Sequence, residues 1–218
     1  METGADLGIA LDGDGDRLIM VDHLGEIVDG DELLFVITQY KSGRNELQGG
    51  VVGTQMSNLG LQRALEQQNI PFVRAAVGDR HVLAMLENRG WRIGGEGSGH
   101  ILCLDSASTG DGIVSALHVL TAIVSLELDL NRLKQGMRKF PQELVNVRCS
   151  QIPDLQSESI LRAVHSAESR LGESGRVLLR PSGTEPVIRV MVEGEERRQV
   201  KQLAQEIADA VHRAAPMD

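Results

Sequence analysis

The chain has little of three things that would each point to a particular class of protein: cysteine, positive charge and long apolar runs. Its two cysteines, Cys103 and Cys149, form no CxxC or zinc-ligand spacing, so a reduced, cytoplasmic setting is expected. A net charge of −9 and a pI near 5.2 argue against a broad nucleic-acid-binding surface. The N-terminus has neither the basic nor the apolar region of a signal peptide. The most apolar helical stretch, residues 113–128, is short for a membrane span and contains His118 and Glu127, so we expect no membrane partner.

Acidic residues are concentrated in one short segment near the N-terminus. Asp12, Asp14 and Asp16 alternate with glycines directly after the apolar run 7–11, and Arg17 follows them. Glycine tolerates positive φ, so the carboxylates of such a loop can converge on one point. Converging carboxylates repel one another unless a hard cation lies between them, and Mg²⁺ or Ca²⁺ is the natural occupant. The segment therefore predicts a metal-binding loop at the end of a strand.

Three other structures compete with a metal loop at this position. A surface turn with solvated aspartates is the simplest of them. An EF-hand would use the three aspartates as its first ligands, but it requires glycine where Arg17 stands and glutamate where His23 stands. A haloacid-dehalogenase-type phosphatase would use Asp12 as the nucleophile of a D-x-D-x-[TV] motif, but Asp16 occupies the place of Thr or Val. The residues favour the metal loop.

Strand-like and helix-like segments alternate along most of the chain. This alternation predicts a mixed α/β domain with a parallel sheet up to about residue 138. Pro141 marks a change, because the segments after it predict a small two-layer α+β domain with helices on an antiparallel sheet. The predicted strands are 7–11, 18–22, 26–28, 50–54, 71–75, one from 92, 101–104, 143–149, 176–179 and 187–192. The predicted helices are 32–41 with Asp29 or Asp31 as cap, 59–68 with Ser57 as cap, 79–88 closed by Gly90, 111–128, a short one ending near 136, 158–171 and 195–214.

A glycine-rich turn, residues 94–100, lies between two of the predicted strands. Glu96 and Ser98 can both bond the hydroxyl groups of a sugar or an amino group. His100 can carry a proton, because a free imidazole titrates near neutrality. The turn suits polyol recognition, and a plain structural hairpin is the alternative.

A second polar turn, residues 180–186, joins the last two predicted strands. Ser182, Gly183 and Thr184 can present hydroxyls and successive backbone N–H groups as an anion nest. Arg180 offers a bidentate phosphate contact, and Arg189 in the following strand offers another. The turn is not a Walker A loop, since G-x-x-x-x-G-K-[ST] is missing, and a plain turn is the alternative. With the metal loop, the two turns supply the parts that phosphoryl transfer to a sugar needs.

The sequence resembles the α-D-phosphohexomutase superfamily over essentially the whole chain. It is most similar to the branch that interconverts glucosamine 6-phosphate and glucosamine 1-phosphate on the way to UDP-N-acetylglucosamine and peptidoglycan. The matching motifs, in order, are D-G-D-G-D-R at 12–17, V-D-G-D at 28–31, G-T-Q-M-S-N at 53–58, V-G-D-R at 77–80, G-G-E-G-S-G-H at 94–100, T-G-D-G-I at 109–113 and R-P-S-G-T-E-P at 180–186.

This resemblance implies a reaction and a role for each motif residue. A phosphoserine of the enzyme gives its phosphoryl group to the sugar, a 1,6-bisphosphate intermediate turns over in the site, and the other phosphate returns to serine. By the resemblance, Arg17 lies beside the phosphoserine and His100 lies near the reacting hydroxyl. The implied ligands are Asp12, Asp14 and Asp16 for Mg²⁺, Glu96 and Ser98 for the sugar, and Arg180, Ser182, Gly183 and Thr184 for the non-reacting phosphate.

One part of the superfamily pattern is missing from this sequence. Members have four domains, and their phosphoserine lies in a T-A-S-H-N-P-type loop of the first domain, which the segment around Ser57 resembles only superficially. We therefore expect residues 1–23 to be the tail of domain 2, 24–138 to be domain 3 and 139–218 to be domain 4. The expected partner is the N-terminal part of the same enzyme, without which this chain is expected to be inactive.

Two other functions fit the same residues. One is a non-catalytic module that binds sugar phosphates. The other is a fragment of a phosphomannomutase or phosphoglucomutase, since these enzymes share the architecture and a G-E-x-S-G-H motif. The sequences G-T-Q-M-S-N and V-G-D-R favour the glucosamine branch.

Overall fold

The computed structural model describes residues 4–182 and 185–215. The chain forms two compact units, Met1–Lys139 (unit 1) and Phe140–Asp218 (unit 2). Unit 1 contains the strands β1 (Leu7–Leu11), β2 (Leu18–Asp22), β3 (Ile27–Val28), β4 (Val51–Thr54), β5 (Phe72–Ala75), β6 (Ile93–Gly95) and β7 (Ile101–Cys103). Its helices are α1 (Gly30–Gly43), α2 (Leu59–Gln67), α3 (Asp79–Arg89), α4 (Gly112–Leu126) and α5 (Leu130–Lys134).

Unit 1 has two sheets. In the first, β1, β2 and β3 pair antiparallel in that order, so residues 12–17 form the turn of the β1–β2 hairpin. In the second, the order is β5-β4-β6-β7. The predicted parallel sheet is right for β5, β4 and β6. It is wrong for β1, β2 and β3, which pair antiparallel, and for β7, which runs antiparallel to β6. For β7, the reason is that residues 96–100 turn the chain back at once, whereas a parallel neighbour needs a long crossover.

Helix α1 lies at the centre of the unit 1 core. Leu33, Leu34 and Phe35 are consecutive and each fully buried, so apolar side chains leave the helix in several directions. The strands contribute Leu18 and Met20 of β2 to the same cluster. Because the alternate residues of a strand point to one face, these two side chains fix which face of the hairpin packs inwards.

Polar residues define where the helices of unit 1 begin and end. The Asp29 side chain accepts hydrogen bonds from the amides of Asp31 and Glu32, and the Glu32 side chain accepts one from the Asp29 amide, which makes a capping box. Helix α3 ends at Gly90, whose φ is +65°. The predicted cap of α2 was wrong by one position. Asn58 caps the helix by accepting from Gly60 N at 2.9 Å, because the Ser57 hydroxyl already accepts from Thr54 N at 3.0 Å.

A buried ion pair ties the turn after β2 to α5. The carboxylate of Asp22 is fully buried and lies 3.0 Å from Nζ of Lys134, which also contacts Glu26 at 2.8 Å. Asn131 donates to Asp22 at 2.8 Å, and two backbone N–H groups of the turn donate to the same carboxylate. These bonds satisfy a charge that burial would otherwise make costly.

Unit 2 is a three-stranded sheet covered on one face by two helices. Its elements are β8 (Gln142–Arg148), α6 (Glu158–Leu171), β9 (Gly175–Pro181), β10 (Val187–Gly194) and α7 (Arg197–Ala214). The strand order is β8-β10-β9, all antiparallel. Ile188, Val190 and Val192 alternate along β10 and pack against buried residues of both helices, so the odd-numbered residues of β10 lie on the other face. The predicted fold class, mixed α/β followed by a small two-layer α+β domain, is confirmed.

The division between the units falls at Lys139 and Phe140. The predicted domain limits 1–23, 24–138 and 139–218 stay predictions. Strands β1 and β2 belong to unit 1 here, because β2 pairs with β3. Among the helices of residues 4–182 and 185–215, none combines the length and apolar character that a bilayer crossing requires.

Candidate functional site

The acidic loop, residues 12–17, is a tight turn held by its own backbone. Gly15 N donates to Asp12 O at 3.3 Å, and Gly15 adopts a φ of +72°, which favours glycine there. Arg17 N donates to Oδ1 of Asp12 at 3.3 Å, and its guanidinium Nε lies 3.5 Å from Oδ2 of the same residue. Desolvation alone would raise the pKa of Asp12, but these contacts with Arg17 lower it below its usual value. The loop therefore presents Asp12 as a carboxylate.

His100 connects the acidic loop to the glycine-rich turn. Its Nδ1 lies 3.0 Å from Oδ2 of Asp16, and its ring is largely buried. The backbones of Arg17 and His100 also form an isolated antiparallel bridge. Gly110 packs against the other side of the ring, since a Cβ on Gly110 would lie 2.2 Å from Nε2 of His100. The three predicted segments 12–17, 94–100 and 109–113 therefore meet at His100.

The predicted metal ligands agree in chemistry with a hard cation, but they do not form a closed cage. Their oxygens are the donors that Mg²⁺ prefers, and Oδ1 of Asp16 is buried and accepts no hydrogen bond from any described residue. That atom lies 4.0 Å from Nε of Arg17. Within residues 4–182 and 185–215, no three side chains of His, Cys, Asp or Glu are grouped so as to hold a metal ion. The donor set fits Mg²⁺ as a partial site.

The glycine-rich turn, residues 94–100, is named the sugar loop below after its predicted role, and it contains the hairpin turn between β6 and β7. Glu96 N donates to His100 O at 3.0 Å, and Gly99 N donates to Glu96 O at 2.9 Å. Oε1 of Glu96 accepts a hydrogen bond from Gly78 N at 3.0 Å, which joins V-G-D-R at 77–80 to the loop. Ser98 is exposed. Glu96 is thus held through one oxygen, and Ser98 is accessible to a ligand.

The segment V-D-G-D at 28–31 lies directly against the sugar loop and joins G-T-Q-M-S-N at 53–58 through Asp31. Gly30 N donates to Gly97 O at 3.1 Å, and a Cβ on Gly30 would lie 2.1 Å from Glu96 O. The buried carboxyl group of Asp31 accepts from Asn58 N at 2.8 Å. In the sequence these two segments were predicted to supply helix caps, Asp29 or Asp31 and Ser57, and no site residues. A glycine next to an aspartate at a helix start was the available signal, since glycine is needed where two backbones approach closely.

In unit 2, the two predicted phosphate-binding arginines lie side by side. Arg180 of β9 is the register partner of Arg189 of β10. Like charges directly opposite on a sheet are unfavourable. Burial and the charge of Arg189 lower the pKa of Arg180, and its buried Nε has no hydrogen-bond partner among the described residues. An anion between the two side chains would relieve both problems.

The turn after Arg180 completes the predicted phosphate cradle in part. Ser182 N donates to Val187 O at 2.8 Å, which closes the turn between β9 and β10. The predicted ligands Gly183 and Thr184 lie outside the described residues. Arg180, Arg189 and Ser182 are therefore the members of the predicted cradle whose position is known.

Comparison with protein families matches both units. Residues 29–140 match phosphoglucomutase/phosphomannomutase, alpha/beta/alpha domain III, and residues 144–210 match the C-terminal domain of the same family. The chain belongs to the phosphoglucomutase/phosphomannomutase family. The resemblance inferred from the motifs is thereby confirmed.

Two curated relatives have the same name, phosphoglucosamine mutase. The chain is 60% identical over 215 residues to the phosphoglucosamine mutase of Methylococcus capsulatus and 58% identical to that of Cellvibrio japonicus. In both cases the match covers 98% of this chain and 48% of the relative. The chain thus spans about half the length of the curated relatives it matches.

Solved structures of the family share the fold. An Aspergillus fumigatus N-acetylphosphoglucosamine mutase in complex with GlcNAc-6P and magnesium superposes with a TM-score of 0.81 at 22% identity, covering 95% of this chain and 49% of that one. An N-acetylglucosamine-phosphate mutase in a product complex gives a TM-score of 0.80 at 22% identity, covering 94% of this chain and 48% of that one. At this identity, the likeness establishes the phosphohexomutase fold.

Proposed function

We propose that this chain is the C-terminal half of a phosphoglucosamine mutase, and that it supplies the metal loop, the sugar reader and the phosphate cradle of that enzyme. The observation that carries the proposal is the contact between Asp16 and His100. It joins a loop of carboxylates to a loop that carries a proton carrier and hydroxyl ligands. The identity of 57–60% to relatives named phosphoglucosamine mutase, over nearly the whole chain, supports the glucosamine phosphates as substrates.

The residues of unit 1 would divide the work at the reacting end of the sugar phosphate. Asp12, Asp14 and Asp16 would hold Mg²⁺, which when bound neutralises negative charge on the phosphoryl group in transfer. Asp16 also orients His100 through Nδ1, and His100 would serve as the proton carrier near the reacting hydroxyl. Arg17 would add positive charge beside the phosphoryl group.

The sugar itself would be read by Glu96 and Ser98. Oε1 of Glu96 accepts a hydrogen bond from the Gly78 amide. Oε2 would therefore be the oxygen that accepts a hydrogen bond from a hydroxyl or a protonated amine. A carboxylate suits glucosamine, because the amino group of that sugar is a cation at neutral pH. Ser98 is exposed and can donate to a second hydroxyl.

The non-reacting phosphate would be held in unit 2. Arg180 and Arg189 would place two guanidinium groups on it, and Ser182, Gly183 and Thr184 would add hydroxyl and backbone donors. The opposition of the two arginines supports this role, because two adjacent cations repel each other until an anion arrives.

Calorimetry with glucosamine 6-phosphate tests the binding part of the proposal. We expect the chain to release heat on binding and Arg180→Ala to weaken the affinity about tenfold or more, because a charge-assisted bidentate contact contributes roughly 1.5–3 kcal/mol. Arg162→Ala is the matched control, since Arg162 is an exposed arginine of α6 that pairs with Glu158 across one helical turn. Equal affinity in all three proteins would remove Arg180 from the phosphate site. Stronger binding of mannose 6-phosphate or glucose 6-phosphate would favour the phosphomannomutase or phosphoglucomutase alternative.

Complementation tests the catalytic part. The phosphoserine is proposed to lie on the half of the enzyme that this chain does not span, so neither half alone should interconvert glucosamine 6-phosphate and glucosamine 1-phosphate. We expect turnover when this chain is mixed with the N-terminal half of the Methylococcus capsulatus relative. Full turnover by this chain alone would refute the need for a partner. Binding without turnover in the mixture would favour a non-catalytic sugar-phosphate module.

The proposed location is the cytoplasm. Cys103 and Cys149 are both buried free thiols, and burial raises the pKa of each, that of Cys103 to about 12. Unreactive, unpaired thiols suit a reducing compartment.

A further inference from the structure

Asp31 is a buried carboxyl group that the proposed chemistry does not use. It lies in the first turn of α1 and is 3% exposed. Asn58 N donates to its Oδ2 at 2.8 Å, and the hydroxyl of Ser57 bonds to the same carboxyl group. Two bonds therefore attach the segment before α2, residues 54–58, to Asp31.

The other side of the carboxyl group lies against the sugar loop. A Cβ on Gly97 would be 3.0 Å from Oδ2 of Asp31, so the loop backbone passes directly over the carboxyl group. The neighbouring Gly30 N donates to Gly97 O at 3.1 Å and holds the loop in that place. Oδ1 of Asp31 is buried and accepts no hydrogen bond from any described residue. Asp31 is thus packed between two loops with one oxygen unsatisfied.

The charges around Asp31 oppose one another. Asp29 at the helix cap repels the carboxylate, whereas Arg74 of β5 attracts it. Lys139, which follows α5, interacts electrostatically with Asp31 and also with Glu32, the next residue of α1. Burial is the largest effect, and with the charge of Asp29 it raises the pKa of Asp31 to about 7 despite the bonds from Asn58 and Ser57.

We propose that Asp31 is the positioning residue of the sugar loop: its buried carboxyl group fixes residues 54–58 beneath Gly97 and thereby sets the place of Glu96 and Ser98. Asp31 is buried under the backbone of Gly97, so its effect on the sugar passes through the loop backbone. The consequence for sugar binding rests on the proposed function, but the attachment of the two loops does not. A site holds its ligands well only when the residues behind them are themselves fixed.

Amide hydrogen exchange tests the attachment without any ligand. Neutral Asp31 fits the closed arrangement, and a charged carboxylate favours opening to water. The pKa of Asp31 is about 7 in the closed arrangement and 3.8 in the open one. The equilibrium constant for opening at the Asn58 and Gly30 amides should therefore rise about tenfold between roughly pH 6 and pH 8.5. Asp31→Asn should remove this pH dependence, since an amide keeps the acceptor for Asn58 N and does not titrate. Glu87→Gln also replaces a carboxylate by an amide, but at an exposed position of α3, and should keep the wild-type dependence of exchange on pH.

Calorimetry with glucosamine 6-phosphate tests the effect on the sugar. Asp31→Ala should weaken the affinity about tenfold or more, because displacement of the loop by a fraction of an ångström misplaces both sugar ligands. Asp31→Asn should restore most of the affinity at pH 7. Unchanged affinity and unchanged exchange at Asn58 in Asp31→Ala would overturn the proposal, as would a flat wild-type exchange profile. If the wild-type chain binds no glucosamine 6-phosphate, the proposed function fails, and the exchange experiment still decides the role of Asp31.

Discussion

Gly99→Ala is expected to destabilise unit 1 more than any other glycine-to-alanine substitution in the sugar loop. Gly99 has a φ of +97°, and a Cβ there would lie 2.1 Å from the carbonyl oxygen of Leu18 and 2.9 Å from its backbone nitrogen. Leu18 N also donates to Gly99 O at 3.0 Å, so β2 and the sugar loop are joined at this contact. Backbone atoms cannot rotate away as a flexible side chain can. We expect a loss of about 4 kcal/mol or more in the free energy of unfolding.

Urea unfolding followed by tryptophan fluorescence measures this loss. Trp91 is the single tryptophan of the chain and lies in unit 1, so its signal reports that unit. Gly43→Ala is the matched control, because Gly43 ends α1 and a Cβ there meets nothing within 4 Å. The control should raise the free energy of unfolding by no more than about 1 kcal/mol. An unfolding free energy for Gly99→Ala within about 1 kcal/mol of wild type would contradict the close approach of the two backbones.

Lys134→Met is the second change with a large expected effect, because it leaves the buried carboxylate of Asp22 without its cation. Breaking a buried pair by removing one partner typically costs roughly 3–5 kcal/mol. Burial alone would raise the pKa of Asp22, but hydrogen bonds from Asn131 and the Glu26 amide, together with Lys134, lower it to about 2. The lowered pKa means that the folded state favours the ionised form. The pair therefore stabilises unit 1 only while Asp22 is charged.

The pH dependence of stability has a definite sign here. The pKa of Asp22 is below its unfolded value of 3.8, so its contribution is fully present above about pH 5 and is lost as the pH falls towards 2. The size of the contribution is about 2 kcal/mol in wild type, from a difference of nearly two pKa units. Lys139→Met is the control, since Lys139 is half-exposed in its pair with Asp29 and should cost about 1 kcal/mol or less. If Lys134→Met and Lys139→Met lost equal stability at pH 7, burial of the Asp22 pair would not matter.

Most of the fold follows from local patterns in the sequence. Short windows of sequence predict the strand run 7–11, the end of α3 at Gly90 and the amphipathic helices of unit 2, because period and capping are local properties. They left the cap of α1 open between Asp29 and Asp31, and the structure shows Asp29. The strand direction of β7 cannot be predicted from a short window, since it depends on whether a short turn or a crossover joins two strands. The cap of α2 was missed because Ser57 and Asn58 are both good caps, and only the turn at Thr54 decides between them.

The sequence predicted which residues form the candidate site but not how they are arranged in space. Motifs located Asp16 and His100 separately, and the bond between them needs strand pairing that no local window contains. Asp31 was predicted only as a possible helix cap and not as a site residue, because an aspartate at a helix start usually caps the helix. Its burial under the sugar loop becomes visible only when Gly97 and Asn58 are placed beside it.

The meeting of three segments at His100 has a consequence for how this family can vary. Asp16 bonds one side of the imidazole, Gly110 makes room on the other, and Arg17 pairs with its backbone. A change in any one segment alters the space or charge that the other two require, so their effects on stability will not add. The segments 12–17, 94–100 and 109–113 are therefore a single exchangeable block: a chimera between relatives must carry all three from the same parent.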